Sequence, residues 1–395
     1  MLCLFIASSG IAAAGDGVTK AAPPPQSDAG TAPAAQGLDK TVARLRGLGG
    51  SYAASGYLDL AIQEFSQALQ LKPDDSEILL QRGLVYDRKG DVDRALQDFD
   101  QLVRLNPDEA IAFVDRGIEH GRKGDVDLSI RDFDQALRLK PDTVSALINR
   151  GAMHGKKGEY DLAIQDLDRA IELAPTAPAL INRGVAHSAK GDFDLAIQDC
   201  DQAVRLAPEA ASAFICRSEA HRLKGDFDLA IQDCDRAVQL APGTESALVC
   251  RGLAYGQKGD FDLALRDYDQ ALRLEPDSAT ALNSRCWVRA KMGKALDIAL
   301  SDCNAALASP NISGPNRSHA LGSRGFVYFR LGQFDRAISD SDAALKDSPR
   351  SASTLYIRGL AKYRRGDIAG GEADVAAAKT IDPKIVDTFA RFGVS

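Results

Sequence analysis

A period of 34 residues governs most of this 395-residue chain. Gly49, Gly83, Gly117 and Gly151 stand 34 residues apart, Gly184 arrives one residue early, and Ser218, Gly252 and Cys286 resume the interval. Gly325 follows five residues late and Gly359 comes 34 after it. Twelve residues beyond most of these anchors stands a small residue: Ala61, Ala95, Ser129, Ala163, Ala196, Ala230, Ala264 and Ala337. A proline closes each unit, from Pro73, Pro107 and Pro141 through to Pro349 and Pro383. The copying is close in places: "GDFDLAIQDCDQAVRLAP" at 191–208 returns 34 residues later with two changes. Ten such units fit between Val42 and Ile385. A chain built this way buries its apolar faces between successive copies rather than in one central core.

Each unit reads as two helices. In "SALINRGAMHGKKGEYDLAIQDLDRAIELAP", Leu147, Ile148, Gly151 and His154 recur at helical spacing until Gly158 interrupts them. Asp161 opens a second helix with Ala163, Ile164, Leu167, Ala170 and Ile171 on one face, and Pro175 ends it. The small pair of Gly151 and Ala163 lets the two helices approach closely. A pair this short cannot bury its own face and must stack on its neighbours.

The Gly, the aromatic or His three residues on, the Ala and the closing Pro resemble the tetratricopeptide repeat, recurring ten times over about 42–385. The resemblance implies an all-α fold, a right-handed superhelix (an α-solenoid of helix-turn-helix repeats) with a concave groove for peptides or partner proteins. The eighth unit departs from the pattern. Cys286 replaces the Gly, "KMGKALDIAL" carries an extra residue, and "ASPNISGPNRSH" lengthens the next loop, so an irregular joint is expected near 292–320. Residues 386–395 read as a tail; with no strongly polar helix after Pro383, self-association through the end units stays open.

An Arg precedes every anchor but the first, and an Asp follows that Arg by 16 residues: Arg82/Asp98, Arg116/Asp132, Arg150/Asp166, Arg183/Asp199, Arg217/Asp233, Arg251/Asp267, Arg324/Asp340 and Arg358/Asp374. Arg285/Asp302 fits once the inserted residue is allowed for. Residues so spaced lie level across an antiparallel helix pair, which predicts a structural salt bridge in each unit, worth about 1 kcal/mol or less if exposed. An active site is built once; this pairing is built nine times.

Other chemistry is thin. His120, His154, His187 and His221 share one register position, where other units carry Tyr52, Tyr86, Tyr255 or Tyr328. Neighbouring helices lie ~8–10 Å apart and zinc ligands must reach within ~2.1 Å of the ion, so no metal site is expected. Cys200 and Cys234 stand where Phe65, Phe99 and Phe133 stand elsewhere, and read as core filling. If the protein is exported, Cys286–Cys303, within one hairpin, is the candidate disulfide. No phosphate loop, GxSxG or HExxH occurs, so neither enzyme activity nor a cofactor is expected. A formal net charge of −7 and 6% aromatics argue against nucleic-acid binding.

The expected binding surface is the wall of first helices. It carries Ile148 and Asn149, Asn182, the cations Arg88, Arg122 and Lys156, and toward the C-terminus Trp287 and Phe326. The resemblance places Asn149 and Asn182 where some relatives hold a partner's C-terminal carboxylate. Val114, Ile118, Ser212 and Cys216 stand where the supporting cations would be, which argues against such a clamp. The start, "MLCLFIASSGIAAAG", reads as a signal peptide over 1–14 despite lacking a basic residue before the apolar run, and 15–41 as an Ala/Pro-rich linker. No apolar run reaches membrane-spanning length. The expectation is an exported, periplasmic or secreted scaffold that binds proteins or peptides, with cytoplasmic location as the alternative. A regulatory or recruiting subunit of an envelope enzyme is the second functional reading.

Overall fold

The computed structural model describes residues 35–394 apart from 311 and 313. The expected leader over 1–14 and most of the expected linker lie outside the described residues. The last part of that linker stretch is helical, since α1 starts at Ala35. Val42 on this helix is buried against the first hairpin's core, and that contact holds the helix in place.

Among the described residues, twenty helices form ten antiparallel hairpins, and a short twenty-first follows. They divide into two compact units. The N-terminal unit holds α1 (Ala35–Ala54), α2 (Leu58–Leu71), α3 (Ser76–Lys89), α4 (Val92–Leu105), α5 (Ala110–Lys123), α6 (Val126–Leu139), α7 (Val144–Lys157), α8 (Tyr160–Leu173), α9 (Ala177–Lys190) and α10 (Phe193–Leu206). The C-terminal unit holds α11 (Ala211–Lys224), α12 (Phe227–Leu240), α13 (Glu245–Lys258), α14 (Phe261–Leu274), α15 (Ala279–Met292), α16 (Leu296–Ala308), α17 (Gly314–Arg330), α18 (Phe334–Asp347), α19 (Ala352–Arg364), α20 (Ile368–Ile381) and α21 (Ile385–Ala390). Each is an all-α solenoid of stacked hairpins, and no strand occurs among the described residues.

The hairpin turn shows why glycine sits where it does. Gly158 takes φ 80° after α7, and the next amide, of Glu159, donates back to the His154 carbonyl at 2.9 Å. That left-handed step closes the helix and satisfies its last carbonyls, which a side chain would penalise. The inserted residue of the eighth hairpin forces the same backbone region on an alanine, since Ala295 takes φ 50° just before α16.

The anchor glycines have a second role. A Cβ on Gly83 would lie 2.6 Å from the Phe99 ring, and one on Gly252 would lie 2.6 Å from the Tyr268 ring. At two anchors that face a cysteine, the glycine is replaced by a larger residue. Ser218 faces Cys234 at 2.8 Å, and Cys286 is bonded to Cys303. At these two contacts the larger anchor fills space that an aromatic ring takes elsewhere. Ser129, in the alanine position, satisfies its buried hydroxyl on the Gly117 carbonyl at 2.6 Å.

Within each unit, first helices of successive hairpins touch one another, for instance α5 with α7 and α13 with α15. Comparable contacts between successive second helices are absent among the described residues. First helices therefore form the inner wall of each unit, and second helices carry the exposed leucines, such as Leu162 and Leu229.

Candidate protein-binding surfaces

The wall is positioned by arginine. In all nine pairs, Nε and Nη2 of the Arg donate to the two carboxylate oxygens of the Asp sixteen or seventeen residues on. For Arg150 and Asp166 the distances are 2.8 and 2.6 Å. They are 2.9 and 2.6 Å for Arg217 and Asp233, and 2.9 and 2.7 Å for Arg251 and Asp267.

The pairing is as expected from the sequence, but the small worth of an exposed bridge does not apply to it. Asp98, Asp166, Asp199, Asp233 and Asp267 are all buried, between 3% and 6% exposed. The reason is their place on the second helix, on the face turned toward the first helix of the same hairpin. A buried carboxylate depends on its partner far more than a surface one does. Hydrogen bonds to Asp166 raise the Arg150 pKa above its ordinary value, against the opposing effect of burial. Arg251 is raised in the same way, by its hydrogen bonds to Asp267 above all.

A third bond was not foreseen. The remaining nitrogen, Nη1, reaches back to the preceding hairpin's second helix: Arg116 to Asp100, Arg150 to Asp134, Arg183 to Asp168, Arg251 to Asp235, Arg285 to Asp269 and Arg358 to Asp342. Each of these guanidiniums thus ties two hairpins together as well as closing its own. The signal was present in the Asp-x-Asp of the second helices, as in Asp132-Phe133-Asp134, whose second carboxylate lies 16 residues before the next hairpin's Arg150.

In the N-terminal unit, the residues expected to bind peptide separate into buried and exposed sets. Asn149 is 1% exposed, with its amide donating to the Ser145 carbonyl at 2.9 Å, and Asn182 is fully buried. Ile148 is also buried, so all three serve packing between helices rather than an open surface. Arg88, Arg122 and Lys156 are exposed. Arg88 donates to the Ala53 carbonyl at 2.8 Å. Arg122 pairs with Asp87 and, at 3.1 Å, with Glu119.

The expected basic edge is therefore mixed in charge. Asp87, Asp115 and Glu119 occupy registers that hold Gly121, Asn149 and Met153 one repeat later. Burial pushes the Asp115 carboxyl up to about 7. Burial, then the nearby Asp115 charge, pushes Glu119 up to about 7.

The C-terminal unit has a different wall. Trp287 on α15, Phe326 on α17 and Tyr356 on α19 converge, and Phe389 of α21 sits among them. Ring centroids lie 6.4 Å from Phe389 for Trp287, 5.4 Å for Phe326 and 5.1 Å for Tyr356. Phe389 and Phe326 are fully enclosed. Phe392 reaches further back to Phe261, at 6.2 Å. The Lys291 ammonium stands 5.1–5.7 Å from the rings of Phe392, Trp287 and Phe261, and burial lowers its pKa to about 8. Arg330 donates to the Ala290 and Lys291 carbonyls at 3.1 and 3.0 Å and also to the Phe392 carbonyl. The stretch read as a tail is thus a folded segment, and the wall at Trp287 and Phe326 lies beneath it. Six helical residues are too few to display a period, so the sequence could not announce them.

Cys286 and Cys303 are joined across the eighth hairpin. Cys200 and Cys234, read as core filling, are instead both disulfide-bonded, Cys234 to Cys250 on the following hairpin's first helix. A second helix faces the next first helix as well as its own partner, so a 16-residue step can cross the proline loop. The histidines face acids of their own repeat, with His154 Nδ1 2.6 Å from Glu159. No group of three ligand-type side chains gathers among the described residues.

Stacked hairpins with a repeated staple and a wall that changes from copy to copy define a helical-repeat interaction scaffold. The chain belongs to the tetratricopeptide-repeat family: tetratricopeptide-repeat models match residues 49–90, 76–109, 114–178, 181–244, 246–278 and 324–384. Proteins built this way mediate protein–protein interaction. None of the curated proteins matches the chain. Among solved structures, a tetratricopeptide repeat protein from Parabacteroides merdae is similar at TM-score 0.50 and 18% identity, covering 64% of this chain and 98% of its own. Yeast Tom70 is similar at TM-score 0.43 and 15% identity, covering 90% and 96%. The APC/C Cut9–Hcn1 structure is similar at TM-score 0.49 and 12% identity, covering 89% and 96%. At these identities the likeness is one of fold. No helix among the described residues is long and apolar enough to cross a membrane.

Proposed function

We propose that the chain is a non-catalytic scaffold that holds peptide segments of partner proteins on the inner walls of its two units. One observation carries this reading: the Arg–Asp staple is the same from hairpin to hairpin, whereas the wall residues change. At registers outside the core the first helices run Arg88, Arg122, Lys156, Ala189, and Glu77, Ile111, Ser145, Pro178. A wall needed only for stacking would repeat along with the rest. In the N-terminal unit the exposed set of Arg88, Arg122 and Lys156 beside Asp87 favours a partner segment bearing both charges. The Cys234–Cys250 and Cys286–Cys303 bonds support export to an oxidising compartment, such as the periplasm or the extracellular space.

A photoreactive residue at Lys156, compared with one at the outward Leu162, tests the reading. Crosslinking of the same partner from position 156 and not from 162 is the expected result. Equal capture from both positions would remove the wall as the site.

A further inference from the structure

We propose that the aromatic groove of the C-terminal unit is a binding site for a short helical segment carrying two phenylalanines three residues apart. Its resident occupant is the chain's own 385–394, which a partner must displace. The proposal rests on the peptide-wall reading above and gives the partner its chemistry.

The way the segment sits argues for a ligand rather than an end cap. A cap would cover the last hairpin alone. Here Phe389 contacts Trp287, Phe326 and Tyr356, on the first helices of three successive hairpins, and Phe392 reaches Phe261 in a fourth. The two phenylalanines stand three residues apart, Phe389 on α21 and Phe392 in the turn that follows it, with their rings 6.0 Å from each other, so one short turn supplies both anchors. Val394 and Ile385 are buried at either end of that turn.

The groove also reads the segment's backbone. Arg330, held by the Ala290 and Lys291 carbonyls, donates to the Phe392 carbonyl, a contact any peptide of this shape can offer. Arg391, between the two anchors, is exposed and free to vary. Two apolar anchors, one backbone contact and open intervening positions are how a groove recognises an amphipathic turn.

The occupant is also exchangeable in principle. Its six-residue helix is far shorter than the ~12–15 residues an isolated helix needs in water, so the groove and not the segment maintains its shape. Tethering places it at an effective concentration on the order of millimolar, which a partner must overcome.

The test uses full-length protein carrying Phe389→Ser with Phe392→Ser. The probe is a fluorescein-labelled synthetic peptide of residues 384–394, followed by anisotropy. The double variant should bind the peptide at least ~10-fold more tightly than wild type, because the tethered competitor is gone. Adding Trp287→Ala should cost at least ~10-fold, as expected for a central aromatic anchor. A peptide with both phenylalanines changed to Ala should not bind, and one keeping only the two phenylalanines on a Ser/Ala background should. Equal binding by wild type, no binding by a variant with native circular dichroism, or indifference to the phenylalanines would each overturn the proposal.

If the double variant does not fold, wild-type protein decides. Trypsin cleavage after Arg391 should accelerate when excess Phe-x-x-Phe peptide lacking Lys and Arg is added, and an unchanged rate overturns the proposal. Capture from Lys156 lies in the other unit. If it succeeds while these assays fail, only this proposal is lost.

Discussion

The two units use the same hairpin five times each, with the same arginine staple in every hairpin but the first, yet their inner walls have diverged. The N-terminal wall is open, with Arg88, Arg122 and Lys156 exposed beside buried carboxyls at Asp115 and Glu119. The C-terminal wall is aromatic and filled by the chain's own Phe389 and Phe392. What the repeat holds constant is therefore the frame, not the surface. Five hairpins can present a charged face or an apolar slot without altering a single staple, because staple and wall lie on different registers of the first helix.

Four measurements would break or sharpen this contrast. The largest expected effect is on what the units share. Arg150→Ala in the N-terminal unit leaves Asp166 buried without its partner, and Arg251→Ala in the C-terminal unit does the same to Asp267. Each should cost about 3–5 kcal/mol in its own unit. Amide hydrogen exchange read hairpin by hairpin would show whether the two losses match; a large difference would mean the frames are not equivalent. Phe389→Ala addresses what the units do not share. It should weaken protection in α15, α17 and α21 by about 3 kcal/mol, as for other buried aromatics cut to Ala, and leave α3 to α7 unchanged. Because the chain has a single tryptophan, Trp287, its emission should also shift to longer wavelength in this variant. An unshifted spectrum would argue against the contact.

Asp115→Asn tests the charged wall. The native state holds this carboxyl protonated up to about pH 7, whereas the unfolded chain releases the proton near pH 4, so stability falls as pH rises between those values. Asn, the residue at the same register in the next two repeats, cannot ionise. The variant should gain on the order of 1–3 kcal/mol above pH 7 and nothing below pH 4. Denaturant unfolding at pH 4, 6 and 8 gives the slope, and a variant with the wild-type slope would place the effect elsewhere. The smallest change expected is in the eighth hairpin. Ala295→Gly relieves a left-handed backbone at φ 50° and should add about 0.5–1 kcal/mol to thermal stability. A loss would show that Ala295 is packed rather than strained.

The hairpins were legible because their contacts are local and repeated. Gly83 under Phe99 and Arg82 on Asp98 each span sixteen residues, and the same step recurs down the chain to Arg217 on Asp233 and beyond. Two other features join one hairpin to the next and so have no meaning within a single copy. The second Asp of each Asp-x-Asp and the Cys234–Cys250 bond both join neighbouring hairpins, and their meaning emerges only when copies are stacked. Asn149 and Asn182 show the opposite error. Their registers suggest a surface, but close packing of the first helices buries them.

By itself, then, the sequence determined the hairpin, its repeat and its polar staple, since each depends on residues a fixed step apart. Tertiary structure alone decided how deeply the staple's carboxylates are buried, which wall residues remain exposed, and that 385–394 folds back onto Trp287, Phe326 and Phe261. Those last contacts occur once, between residues far apart in the chain, and depend on several hairpins being stacked before the groove exists. A periodic pattern records what every copy does; an aromatic slot filled once leaves no period to read.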